Sequence, residues 1–287
     1  MRTTLPKNTL VVIAALFTLM FALPQKAMAQ SKEAYAVRDN AGTITFYYDA
    51  QKATRTGTIA NIKDGYYATQ AWIESSETYN PTGITTAVFD ASFAGYAPTS
   101  LYKWFKGMSA LTTVKGMEYL NTANVATMDF MFENCSALQA VDMSHCNTDK
   151  LSNIVAMFKG CSALQTLDLT TFHGRKLYDM REVFFNCTEL TTIYCNNTWP
   201  SGKGFSTDMF GNCYKLKGAV AYDPTKRNSA MANPETGYFT KKTNTGIDTP
   251  TVNVSQKKQG TYNLAGQRVG DSYKGIVIEN GRKVVRK

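Results

Sequence analysis

The apolar positions of this chain recur with a fixed period. Met131 and Phe132 precede Cys135 and Leu138, and this arrangement returns three times further along the chain at a constant step, so that its phenylalanine stands at positions 132, 158, 184 and 210. An earlier copy has its phenylalanine at position 105, nearly in the same register. Five such copies predict a repeat architecture, in which stacked units bury an apolar face that one unit cannot bury alone.

Each unit changes its pattern halfway. Apolar residues spaced three and four apart, as at Met128, Met131 and Phe132, predict a short helix. The next stretch alternates apolar and polar residues, as at Leu167 and Leu169, which predicts a short strand with alternate residues buried. We therefore predict an α/β repeat fold, a leucine-rich-repeat-like solenoid whose 26-residue units each contain a short helix and a parallel strand.

The same register predicts which side chains fill the interior of the stack. They are the phenylalanine, the cysteine and the leucine that recur in each unit, and together they form the predicted structural core. Its members are Phe105, Phe132, Cys135, Leu138, Phe158, Cys161, Leu164, Phe184, Cys187, Leu190, Phe210, Cys213 and Leu216.

Residues 1–29 have the pattern of a secretory signal peptide. A short basic start with Arg2 and Lys7 leads into the largely apolar residues 10–23, and Ala27 and Ala29 are the small residues that a signal peptidase recognises. The apolar run is shorter than the roughly 20 residues that span a bilayer. We predict a secreted protein, on the cell surface or associated with the outer membrane, with no transmembrane segment in the mature chain.

Four of the six cysteines, those of the predicted core, occupy one column of the stack. In an exported protein such a set is compatible with disulfides between neighbouring units. The earliest unit has Met108 in this column, which fits a medium-sized apolar position. Free thiols are among the most buried groups in proteins, so the column favours free thiols and leaves the disulfides as the alternative.

The chain predicts five regions. The signal peptide (1–29) precedes an N-terminal β cap region (30–82), in which residues 40–42 form a turn between two strands. The solenoid with its C-terminal cap follows (83–240), and then a polar linker rich in Thr and Asn (241–260). The last region (261–287) is a small β module with turn signals at 265–266 and 280–281.

Charge and composition exclude several classes of function. The net charge of +9 resides near the two ends, because residues 30–240 contain 18 basic and 19 acidic residues. This balance argues against nucleic-acid binding, which requires a basic surface on the folded part. Two histidines in the whole chain are too few for a His-rich metal site, so we predict no metal and no cofactor. The common enzyme motifs are absent, and we predict that the chain is not an enzyme.

Polar residues on the outward face of the predicted strands are the candidate binding site. Asp142 and Asp168 lie on adjacent predicted strands, but an open sheet offers no cleft for catalysis by paired carboxylates. His145 and Cys146 supply only two of the four ligands that zinc needs. The mixture of acid, hydroxyl, amide and phenol groups suits contact with a protein or a glycan. The candidate ligand-binding residues are Lys115, Asp142, Ser144, Asp168, Thr170, Tyr194 and Asn196.

The unit Met-Phe-x-x-Cys-Ser-x-Leu-x-x-Leu-Asp-Leu, with Asn-Thr at 121–122 and 147–148, resembles the BspA-type leucine-rich repeat surface proteins of Bacteroidetes. Residues 33–37 and 43–49 resemble the N-terminal hairpin of that family, and residues 237–240 resemble its end cap. The resemblance implies a cell-surface adhesion protein that binds host or bacterial partners. The C-terminal module is similar to the end of a type IX secretion sorting domain, which implies contact with secretion machinery. The alternative is a structural or assembly component of the cell envelope, docked through its C-terminal tail.

Overall fold

The computed structural model describes residues 31–73, 81–202, 204–242, 261–263, 268–270, 274–279 and 282–286. These residues belong to two compact units, which divide after Lys242. The predicted signal peptide (1–29), residues 243–260 of the predicted linker, and the predicted turns at 265–266 and 280–281 lie outside the described residues.

The described residues contain short strands and single-turn 3₁₀-helices. The strands are β1 (Glu33–Arg38), β2 (Thr43–Asp49), β3 (Thr58–Asn61), β4 (Thr86–Phe89), β5 (Thr113–Lys115), β6 (Thr166–Asp168), β7 (Thr192–Tyr194), β8 (Phe239–Thr240), β9 (Thr261–Asn263), β10 (Arg268–Val269), β11 (Gly275–Glu279) and β12 (Arg282–Arg286). The 3₁₀-helices are Lys52–Thr54, Ala71–Ile73, Pro81–Gly83, Ala91–Gly95, Met117–Tyr119 and Ser229–Met231.

The N-terminal part of the first compact unit, which ends at Lys242, is a five-stranded mixed sheet in the order β3-β1-β2-β4-β5. β1 and β2 pair antiparallel across the turn at residues 40–42, where Gly42 has a φ of +83°. β4 then pairs parallel to β2, and β5 pairs parallel to β4. Alternate residues of β2, Ile44 and Phe46, are fully buried. This sheet therefore covers one end of the repeat units that follow it in the chain.

Those units, residues 101–216, form what we call the repeat stack. The rings of Phe105, Phe132, Phe158, Phe184 and Phe210 lie one above another, with successive centroids 5.0, 5.5, 6.0 and 5.4 Å apart and planes within 16° of parallel. All five rings are fully buried, and each residue of the predicted core has at most 1% of its surface exposed. The repeat stack thus pools the apolar side of every unit into one dry interior.

The prediction of an α/β solenoid built from helix-plus-strand units is wrong. The described residues contain no α-helix. The apolar spacing at 128–132 belongs instead to overlapping turns, in which Phe130 and Asn134 have φ values of +58° and +61°. This left-handed conformation interrupts a helix. The Phe130 N–H donates to the Val155 carbonyl of the next unit at 2.7 Å, and not to a carbonyl four residues before it.

The strand half of the units is also shorter than a continuous parallel sheet requires. β6, β7 and β8 form a three-stranded parallel sheet. In the unit before β6, this half contributes an isolated parallel bridge from Asp142 to Asp168, and similar bridges join the turn half of the units, such as that from Thr127 to Asn153. Turns close quickly after the extended residues, since the Cys146 N–H already donates to the Met143 carbonyl.

All six cysteines are free and buried. In the recurring column, each thiol donates to a main-chain carbonyl of the preceding unit, as Cys161 Sγ does to the Phe132 carbonyl at 3.1 Å. Burial raises the pKa of the Cys161 thiol to about 12. These thiols are therefore protonated donors inside the repeat stack, and the disulfides between units that the sequence left open are not formed.

The second compact unit, which follows Lys242, contains a four-stranded antiparallel sheet in the order β10-β9-β11-β12. Val277 of β11 pairs with Val284 of β12 and with Asn263 of β9. Val277 is fully buried, whereas 66% of Val285 is exposed. Val277, on the inner strand β11, is therefore enclosed, whereas Val285 lies on the edge strand β12 and faces solvent.

Candidate functional site

A row of polar side chains crosses the short parallel strands of the repeat stack. The parallel register places Asp168 of β6 beside Tyr194 of β7, and Tyr194 beside Thr240 of β8. A parallel bridge between Asp142 and Asp168 extends the row by one more unit. Leu167 and Ile193, next to the row residues in sequence, are buried. We call Asp142, Asp168, Tyr194 and Thr240 the polar row.

Six of the seven predicted binding residues lie at or beside the polar row. Asp142, Asp168 and Tyr194 belong to it, and Ser144, Thr170 and Asn196 follow those three by two residues in each unit. Lys115 is different, because it ends β5 and pairs with β4 in the five-stranded sheet. The structure therefore places Lys115 in a different sheet from the other six residues.

Lys242 joins the polar row, although the sequence placed it in the linker. Its Nζ lies 2.5 Å from Asp168 Oδ2 and 5.8 Å from the centre of the Tyr194 ring. The Lys242 N–H donates to Asn196 Oδ1 at 2.8 Å, and Asn196 Nδ2 donates to the Lys242 carbonyl at 3.2 Å. Nothing in the repeat period indicates this contact, because Lys242 follows the last unit and reaches the row through the chain that leaves β8.

These contacts occupy both oxygens of the Asp168 carboxylate. Thr170 donates to Asp168 Oδ1 from its N–H at 3.0 Å and from its hydroxyl at 2.7 Å, and Lys242 takes Oδ2. Burial alone would raise the pKa of Asp168, but the hydrogen bonds from Lys242 and Thr170 outweigh it and lower the pKa below its ordinary value. Asp168 is therefore ionised and paired within the protein.

The other end of the row is open. The Ser144 N–H donates to Asp142 Oδ1 at 2.9 Å, and hydrogen bonding from Ser144 lowers the pKa of Asp142. Asp142 Oδ2 lies 3.9 Å from His145 Nε2, and 58% of the Asp142 side chain is exposed. A ligand can therefore reach an ionised carboxylate oxygen at Asp142.

A pocket of about 330 Å³ adjoins this open end. Ser144 and Thr170 of the predicted set line it, together with His145 and His173, which are the only histidines of the chain. The repeat pattern did not predict that these histidines are close, because they do not share a repeat position. The turns after each strand nevertheless bring both to one pocket. The remaining lining residues are Cys146, Asn147, Thr148, Asp149 and Thr171.

The pocket is lined by hydroxyl, amide and imidazole groups, by the Cys146 thiol and by one carboxylate, that of Asp149. Burial raises the pKa of the Cys146 thiol to about 12, so it is neither a thiolate ligand nor a thiolate nucleophile near neutral pH. Across the described part of the chain, no group of three or more His, Cys, Asp or Glu side chains is placed to hold a metal ion. The hydroxyl and amide groups around the pocket suit a polar ligand that both donates and accepts hydrogen bonds.

Comparison with known proteins adds one family. Residues 99–222 match a family described as "Mycoplasma protein of unknown function, DUF285". No curated protein and no solved structure matches the chain. Within the residues that the structure describes, no helix has the length and apolar character needed to cross a membrane. The matched residues include the repeat stack and make up a little under half of the chain. Over them the chain is similar to a family whose function is described as unknown.

Proposed function

We propose that this chain is an exported cell-surface protein that binds a polar ligand, a protein or a glycan, through the repeat stack and without catalysis. One observation supports the proposal above the others. Asp142, Ser144 and Thr170, which come from two different repeat units, meet at the open end of the polar row beside one pocket. Side chains that are distant in sequence and converge on a polar pocket are typical of a binding site.

The open end offers complementary hydrogen-bonding groups. The Asp142 carboxylate is an acceptor for hydroxyl or amide donors of a ligand, and charge-assisted hydrogen bonds of this kind are the stronger ones. Ser144 adds a hydroxyl, and the Thr170 hydroxyl, which already donates to Asp168, adds an acceptor oxygen. A glycan or a peptide main chain carries both kinds of partner, so either fits this surface.

The charge states of the two row carboxylates argue for binding and against hydrolysis. A glycoside hydrolase needs one carboxyl group with a raised pKa to protonate the leaving group. Here the pKa values of Asp142 and Asp168 are both lowered. Both groups are ionised at neutral pH, so neither is available as a general acid.

The test is a binding screen with matched variants. Purified full-length protein is applied to an array of glycans and purified extracellular-matrix proteins, and the affinity for each hit is then measured for Asp142→Asn and for Glu189→Gln. Glu189 is an exposed acid that pairs with Lys215 away from the row, so it controls for net charge. We expect Asp142→Asn to weaken binding about tenfold and Glu189→Gln to leave it unchanged. Equal affinities for the wild type and Asp142→Asn would exclude the open end as the site.

Asp168 provides an internal comparison. Because Lys242 and Thr170 already occupy its oxygens, a ligand gains little from this carboxylate. Asp168→Asn should therefore weaken binding less than Asp142→Asn does. The opposite order would show that the ligand displaces Lys242 and uses the closed end of the row.

The separate C-terminal unit favours a second candidate function, a structural or assembly component of the cell envelope. Strands β9 to β12 belong to a compact unit separate from residues 31–242, which is the form expected of a docking element recognised by secretion or envelope machinery. Deletion of 261–287 separates the two functions. Loss of surface display with intact ligand binding supports a docking role for the tail, whereas unchanged display excludes it.

A further inference from the structure

The main-chain amides of the repeat stack form a one-way ladder. At the position of the core phenylalanine, each N–H donates to a carbonyl of the next unit, as Phe158 does to Val183 at 2.9 Å and Phe184 does to Met209 at 2.9 Å. The residues two and four positions earlier do the same, as Glu182 does to the Thr207 carbonyl at 3.0 Å and Met180 does to the Phe205 carbonyl at 2.7 Å. We call these donors the amide ladder. All of them point towards the C-terminal end of the repeat stack.

Within the residues that the structure describes, no further repeat unit follows the last rung of the amide ladder. Chain from the C-terminal cap replaces it in part, since the Phe210 N–H donates to the Arg227 carbonyl at 3.0 Å. Ser206 and Asp208 hold the two preceding rung positions of this unit. Among the described residues, none accepts a hydrogen bond from the Ser206 N–H or the Asp208 N–H.

A pocket of about 390 Å³ lies where those acceptors would be. It is lined by residues 204–208 on the side of the repeat stack and by Thr225, Arg227 and Asn228 on the side of the cap. Asp208 has a φ of +52°, the left-handed conformation that recurs at this position of every unit. Alternating right- and left-handed residues turn successive N–H groups to one side and form a concave anion-binding surface.

We propose that the end of the amide ladder binds an oxyanion group: a phosphate, sulfate or carboxylate. The Ser206 and Asp208 N–H groups would donate to it, and the half-exposed Arg227 guanidinium would supply the positive charge. The preceding units carry the reason. There the equivalent N–H groups each hold a carbonyl oxygen, for example Met180 to Phe205 at 2.7 Å and Glu182 to Thr207 at 3.0 Å. Because no described repeat unit follows Ser206 and Asp208, an oxygen of the bound oxyanion would take the place of these carbonyls.

The aligned amides strengthen this preference. Peptide dipoles that point the same way leave a positive partial charge at the end where the N–H groups are exposed, as at the N-terminus of a helix. The Asp208 carboxylate opposes it, because its Oδ1 lies 3.2 Å from Arg227 Nη1 in the same pocket. A bound oxyanion must therefore compete with the Asp208 carboxylate for Arg227.

This competition gives two variants with opposite expected effects. Arg227→Gln removes the positive charge but keeps the carbonyl that accepts from Phe210, and it should weaken anion binding roughly threefold. Asp208→Asn removes the competing charge and keeps the N–H, and it should strengthen binding by a similar factor. Asn adopts the left-handed conformation readily, so the backbone is preserved. Lys226→Gln is the matched control, because Lys226 is cationic and pairs with Asp223 but does not line the pocket.

The measurement is a two-dimensional amide NMR titration of the full chain with sodium phosphate, sulfate or acetate, at ionic strength held constant with chloride. We expect saturable shifts at the Ser206 and Asp208 amides, and none at the Glu182 amide, which has its acceptor within the protein. Saturation by phosphate and sulfate alone would identify a tetrahedral anion, and saturation by acetate would extend the class to carboxylates. Shifts that never saturate, or an affinity that Lys226→Gln lowers as much as Arg227→Gln does, would refute the proposal.

Discussion

Replacement of Phe158 tests whether the stacked rings hold the units together. Its ring lies between those of Phe132 and Phe184, at 5.5 and 6.0 Å, and no part of it is exposed. Phe158→Ala should lower the free energy of unfolding by about 4 kcal/mol, within the usual range of about 3–5 kcal/mol for a buried ring. Phe158→Leu keeps most of the volume but loses two ring pairs worth about 0.5–1.5 kcal/mol each, so its cost should be about 2 kcal/mol.

The assay is urea unfolding followed by tryptophan fluorescence and by circular dichroism. Trp199 is buried 6.4 Å from Phe184, and Trp72 and Trp104 are buried as well, so the tryptophan emission reports on exposure of the interior. Agreement of the two transitions is required before a single unfolding free energy is assigned. Phe205→Leu is the matched control, because 52% of Phe205 is exposed and the same change there should cost less than about 0.5 kcal/mol.

The order of the three variants carries the result. If the rings stabilise the repeat stack, the cost falls from Phe158→Ala through Phe158→Leu to Phe205→Leu. A Phe158→Leu protein as stable as the wild type would show that volume alone matters and that the ring pairs contribute nothing measurable.

Three further predictions follow from buried groups and from the left-handed positions. A thiol reagent at pH 8 should label no cysteine of the native protein and all six after denaturation, because all six are free and buried; fewer than six would reveal a disulfide. Gly107→Ala should lower the free energy of unfolding by about 1–2 kcal/mol, because φ is +76° and there is open space around the residue. Gly174→Ala should lower it by about 1–3 kcal/mol more, because its new Cβ would lie 2.5 Å from the buried Trp199 ring. Equal urea midpoints for the two variants would contradict this difference. Burial raises the pKa of Asp129 from 3.8 to about 6. As the pH falls through 6, the native state therefore takes up a proton before the unfolded state does, and the free energy of unfolding increases until the pH is below 3.8. Asp129→Asn should remove this contribution and stabilise the protein near pH 7 by up to about 3 kcal/mol, and an unchanged pH dependence of its urea midpoint would refute the assignment.

The helix prediction failed for a reason that the residues themselves show. Apolar spacing of three and four reports which side chains share the interior, and overlapping turns produce the same spacing as a helix. The position two residues after each core phenylalanine is Gly107, Asn134, Gly160, Asn186 or Asn212, and all five have positive φ. Gly and Asn are the residues that tolerate this conformation, so their recurrence was a readable signal for turns. The equivalent signal at Phe130 and Ala156 is absent, because those residue types carry no preference for it.

By itself, the sequence determined the repeat period, the residues that fill the interior and three of the four positions of the polar row, Asp142, Asp168 and Tyr194. These follow from the spacing of apolar side chains, because burial acts on each unit in the same way. Only the tertiary structure decided where each main-chain amide finds its acceptor, that Lys242 closes one end of the polar row, and that the last rung faces a pocket. Each of these depends on what stands next to a unit in space, and a residue's own sequence neighbours do not encode it.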